Sequence, residues 1–156
     1  MREIEFRGKK KYIPGYFGCS KDKKDGEWVY GDLERHRIDE LVRIHSYSED
    51  KTYYRQYDVD PNTVGQFTGL LDKNGKKIFE GDIVCKRDLT FNLRYDGVVV
   101  YNSAIGCFRI HSESKVTTMQ MGFEASDVYE DGQCTVSVKY DYEVIGNIHD
   151  NPELIK

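Results

Sequence analysis

Histidine is the first side chain to ask for acid–base chemistry near neutral pH, because imidazole changes charge between about pH 5 and 8. The chain holds His36, His45, His111 and His149, and none sits in a recognisable motif. His45 and His111 fall on strand-like runs, His36 follows Glu34-Arg35, and His149 precedes Asp150. Zinc ligands recur at short, regular spacings. The scattered Cys19, Cys85, Cys107 and Cys134 contain no C-x-x-C pair and no Cys-His cluster, so they are expected to be reduced structural thiols without a disulfide. Cys85-Lys86-Arg87 is the thiol directly followed by two cations, the setting that activates a nucleophile. It also continues the apolar Ile83-Val84, which favours a small buried residue at a strand end.

Glu80-Gly81-Asp82 places two carboxylates about a glycine and could hold a divalent ion. A turn is the favoured reading: Gly81 supplies a backbone conformation closed to other residues, and Asp82 accepts hydrogen bonds from nearby main-chain amides. Neither a phosphate-binding loop, a dinucleotide fingerprint nor a singled-out carboxylate pair is present. No catalytic, cofactor-binding or metal-binding residue is assigned, and no cofactor is expected. The remaining chemistry is recognition. Lys9, Lys10 and Lys11 form a basic run, and Tyr53, Arg55 and Tyr57 alternate along one segment; together they are the candidate interaction surface, able to stack bases or to anchor a protein interface.

Charge is uneven along the 156 residues. Residues 1–24 carry eight Lys/Arg against three Asp/Glu, a net +5, and the remainder is −9. Uniform attraction to a phosphate backbone is therefore not expected, although the basic start could touch nucleic acid or an acidic partner. No run approaches the roughly 20 apolar residues of a membrane span, and Met1 to Arg7 lacks the apolar core of a secretory signal. The expected location is the cytoplasm, away from membranes. With 12 Tyr, 7 Phe and one Trp the chain is too aromatic for a disordered one.

The elements that must position these residues read as strands. Glu3-Ile4-Glu5-Phe6-Arg7 alternates with period two, and Glu27 to Leu33, Glu40 to His45 and Tyr53 to Val59 repeat the pattern as an antiparallel meander. Pro14 and the glycines between Lys9 and Gly26 mark a long hairpin loop. Asp58 to Gly65, with Pro61 at its centre, reads as a subdomain boundary. Gln66 to Leu71 and Lys77 to Phe79 flank Asp72-Lys73-Asn74-Gly75, whose Asn-Gly pair suits a tight hairpin with Gly75 at positive φ. Further short strands follow, among them Val98 to Tyr101, Cys107 to His111, Lys115-Val116, Thr135 to Tyr140 and Tyr142 to Ile148. Ala125 to Asp131 is expected to hold one helical turn capped by Ser126. The fold class is all-β: short antiparallel strands in a small SH3-like or related barrel with a second β subdomain. The whole chain, 1–156, is one domain, with subdomains 1–60, an amino-terminal meander, and 61–156, a barrel.

Three blocks are distinctive in sequence and order: Asp60 to Leu70, Asp72 to Val84, and Tyr142 to Ile148 with Asn151-Pro152-Glu153-Leu154. Together they resemble the YopX family of phage and prophage proteins. Ile4-Glu5-Phe6-Arg7-Gly8-Lys9 and Gly26 to Leu33 are similar to that family's amino-terminal half, so the resemblance spans nearly the full chain. It implies a phage or prophage origin and an all-β architecture, and it carries no catalytic residues onto this sequence. The expected role is a non-enzymatic accessory protein that binds a host or phage protein and self-associates. Nucleic-acid binding through the basic start and the Tyr-rich strand is the alternative, and an uncharacterised hydrolase comes third.

Overall fold

The computed structural model describes residues 3–12, 25–35, 41–47, 54–88, 93–112, 119–120, 126–128, 135–137 and 140–155. The chain forms two compact units, Met1–Gly69 and Leu70–Lys156. Among the described residues regular structure is strand, apart from two 3-10 turns, Pro61–Thr63 and Pro152–Ile155. The all-β class is therefore as the residue pattern indicates. No helix among them is long and apolar enough to cross a membrane.

In the first unit the strands are β1 (Phe6–Lys9), β2 (Trp28–Arg35), β3 (Val42–Tyr47), β4 (Tyr54–Val59) and β5 (Gly65–Leu71), in the order β4-β3-β2-β1-β5. Alternation decides which face is buried. Val42 and Ile44 of β3 lie opposite Val59 and Tyr57 of β4, and Leu33 of β2 lies opposite Ile44. With Val29 they make one buried cluster, against which Leu33 and Val64 pack. Fully burying one such aliphatic side chain contributes about 1.5–3 kcal/mol.

The meander coils until its first and fourth strands meet at one end. Lys11 N–H donates to the Asp58 carbonyl and Asp60 N–H to the Lys9 carbonyl, both at 2.9 Å, and Lys10 bridges Val59. The contact covers only that end; among the described residues the sheets are open, so the barrel expected over 61–156 is not closed. Pro61, read above as a boundary, starts a 3-10 turn between β4 and β5, with the Asp60 side chain accepting from Asn62 N–H. Thr63 Oγ1 accepts from Lys9 N–H at 2.9 Å, tying this turn to β1.

The second unit contains β6 (Lys77–Phe79), β7 (Asp82–Asp88), β8 (Leu93–Asn102), β9 (Cys107–His111), β10 (Met119–Gln120), β11 (Ser126–Val128), β12 (Thr135–Ser137) and β13 (Tyr140–Asn147). Its main sheet runs β10-β9-β8-β7-β13, and β11 pairs with β12 alone. Ile78, Val84, Val99, Phe108 and Ile110 are its buried cluster, with Leu70, Tyr142 and Val144 against them. Ser126–Val128 is thus a strand facing Thr135–Ser137 and not the helical turn expected there. A single isolated turn fixes many dihedrals for one hydrogen bond, whereas the β-branched Val128, Thr135 and Val136 suit a ladder. Lys115-Val116 lies outside the described residues.

Asp72 to Lys76 turns β5 into β6, with Gly75 N–H donating to the Asp72 carbonyl and Gly75 at φ +80°. A Cβ at Gly75 would meet nothing within 4 Å, so substitution there tests backbone conformation alone. Gly75→Val is expected to lower stability by about 1 kcal/mol, the cost of left-handed backbone for a β-branched residue. Urea unfolding checks it; an unchanged midpoint would show that the turn relaxes freely.

Candidate interaction surface

The β3–β4 register sorts the tyrosines by parity. Because Ile44 faces Tyr57 in the core, the next pairs on the opposite face are His45 with Gln56 and Tyr47 with Tyr54. Tyr57 is therefore a buried core residue and not a surface anchor. Arg55 is exposed and Tyr53 lies outside the described residues. Of the basic run, Lys11 is exposed. Lys10 places Nζ 2.6 Å from Glu27 Oε2 and 4.5 Å from the centre of the Tyr57 ring. Lys9 lies opposite Trp28, with its Nζ 5.4 Å and the Arg7 guanidinium 4.6 Å from the indole centre. Lys10 and Tyr57 are thus brought together, but as a partly buried contact in which the cation already has a carboxylate.

The aromatic surface is on the other face of the same strands. Tyr47 and Tyr54 are 53% and 52% exposed, their rings tilted at 47° with centres 5.7 Å apart, a favourable edge-tilted geometry. Beside them His45 Nε2 lies 2.7 Å from Glu34 Oε2, and the Tyr54 hydroxyl reaches His45 Nδ1 at 2.5 Å. Asp32 stands opposite His45 across the β2–β3 ladder, and Glu34 opposite Arg43. Arg43 Nε donates to Asp58 Oδ1 at 2.9 Å. Tyr30 continues the face on β2 and is also exposed. Once Val42 and Ile44 are taken as inward, alternation alone turns His45 and Tyr47 outward; the carboxylate at His45, supplied by Glu34 of the neighbouring strand β2, has no sequence signal.

Asp72, Glu80 and Asp82 of the second unit all accept main-chain hydrogen bonds. Asp82 is 1% exposed and accepts from Phe79 N–H at 2.8 Å and from Asn147 Nδ2 at 3.3 Å. Gly81 takes φ +82°, and its N–H donates to the Val99 carbonyl. Glu80 Oε1 accepts from Tyr101 N–H at 3.3 Å. Asp72 accepts from the N–H groups of Asn74, Lys76 and Val144 at 2.8, 2.9 and 3.2 Å. Burial pushes its carboxyl up, but those main-chain donors outweigh it and hold the acid below its ordinary value. Cys85 is a buried thiol, pushed up first by burial and then by its hydrogen bond to Asp96 and that group's charge. That is the reverse of what a thiolate nucleophile requires. His111 is exposed, His149 is half-buried, and His36 lies outside the described residues.

A family model described as YopX protein matches residues 20–156. The chain matches no curated protein.

Proposed function

The chain belongs to the YopX family, and from that premise we propose a non-enzymatic phage or prophage accessory protein that binds a protein partner in the bacterial cytoplasm. The observation that carries this reading is the half-exposed Tyr47–Tyr54 pair, held on a sheet face beside His45. Large aromatics with few rotatable bonds are the usual anchors of protein interfaces. Charge favours protein over nucleic acid in that Lys10 is matched by Glu27 and Arg43 by Asp58, which takes these two cations out of a phosphate-binding surface. Arg7 and Lys9 on Trp28 are the contact that speaks for the nucleic-acid alternative. Self-association through the sheet edges belongs to the same reading.

Affinity capture from host cells, after nuclease treatment and at about 0.3 M salt, compares the wild-type chain with Tyr47→Ser/Tyr54→Ser. A protein partner retained by the wild type and lost by the double variant is the expected result. Capture that vanishes with nuclease or collapses with salt would establish the alternative in its place, and equal capture by both chains would remove this face from the interface. Light scattering showing only monomer would end the self-association part.

A further inference from the structure

The hydrogen-bond chain Glu34–His45–Tyr54 decides what the tyrosine pair can bind. An ionised carboxylate only accepts, so His45 Nε2 must carry the proton it shares with Glu34 Oε2. Assigning the ring a single proton, on Nε2, leaves Nδ1 an acceptor, and the one hydrogen of the Tyr54 hydroxyl then goes to it. Tyr54 Oη then turns only lone pairs to the outside. The other groups around it are electron-rich as well: the ring faces of Tyr47 and Tyr54, the remaining oxygen of the Glu34 carboxylate, 42% exposed in its side chain, and exposed Asp32 opposite His45. Arg43, the nearby cation on the same strand, has its Nε on Asp58. Gln56, opposite His45, is uncharged.

Resting on the protein-binding reading above, we infer that the Tyr47–Tyr54 surface receives an arginine side chain of the partner. A guanidinium is planar, stacks on tyrosine faces, and carries only donors, matching Tyr54 Oη and the two carboxylates. An acidic or phosphorylated segment would meet the same groups with like charge. His45 acts as a positioning residue: by holding the Tyr54 proton it keeps the hydroxyl an acceptor toward the ligand.

The test titrates the full chain with N-acetyl-arginine amide and with N-acetyl-citrulline amide, which has nearly the same shape without the charge, following the resonances of His45, Tyr47 and Tyr54. Saturable shifts at these residues, about fivefold weaker for citrulline, are expected from a cation–π contact reinforced by carboxylates. Tyr54→Phe keeps the ring but removes the acceptor and should weaken arginine binding about threefold. Tyr101→Ser, at an exposed tyrosine of the second unit, should leave the titration unchanged. Equal binding of arginine and citrulline, absence of a saturable shift, or shifts centred elsewhere would overturn the inference. Partner capture that still depends on Tyr47 and Tyr54 would leave the interface reading standing while this one fell.

Discussion

Replacing Asp72 with alanine is expected to cost about 3 kcal/mol of unfolding free energy at neutral pH, because three main-chain donors lose a charged acceptor together. Two of them, Asn74 and Lys76 N–H, lie in the β5–β6 turn, and the third, Val144 N–H, lies on β13. One side chain thus closes the turn and fastens it to a strand far along the chain. With Asp72 only 6% exposed, water does not readily replace the lost oxygen atoms. Acid should reveal the same interaction. The folded-state carboxyl sits below its ordinary value of 3.8, so its contribution is fully present above that value and is lost as pH falls through the depressed one. Urea midpoints of wild type and Asp72→Ala should therefore differ by a constant amount near neutrality and by less in strong acid. Equal midpoints at neutral pH would show that the three amides find other partners.

Gly31→Ala should be at least as damaging, with a loss of about 3 kcal/mol or more, or failure to fold. Gly31 has φ +150°, and an ideal Cβ there would lie 2.0 Å from the His45 carbonyl oxygen and 2.8 Å from its carbon. Those atoms are backbone of the neighbouring strand, so no side-chain rotation relieves the overlap; β2 and β3 must separate. Their separation would also pull Glu34 away from His45, so the His45 and Tyr54 resonances should change along with the melting temperature. The contrast with Gly75→Val isolates the cause. Both positions have positive φ, but only Gly31 is crowded, and the gap between the two losses measures the clash. Similar small losses for both would remove it.

Much of the fold was legible because period-two alternation and turn chemistry are local. Val42 and Ile44 had to share a face, Asn74-Gly75 had to turn, and Gly81 preceded a strand, all from neighbours within a few residues. The helical turn expected at Ser126 failed for want of a longer-range fact: the ladder partner Thr135–Ser137 outweighs a weak local cap. Tyr57, read as part of the interaction surface, was misplaced for a different reason. Tyr53, Arg55 and Tyr57 alternate in the sequence, but parity does not say which set faces the core. That was settled when Ile44 came opposite Tyr57, burying it and leaving Tyr54 beside Tyr47 on the other side.

By itself the amino-acid sequence determined the all-β class, the YopX kinship, the turn at Asn74-Gly75 and the lack of any spaced catalytic motif. These follow from residue type, period and order. The tertiary structure decided what depends on pairing between distant strands. It set Lys10 on Glu27, joined Asp72 to Val144, coiled β1 onto the end of β4, and brought Glu34, His45 and Tyr54 into one hydrogen-bonded line. Register between strands is a global property of packing, and a shift of one residue would exchange the buried and exposed tyrosines.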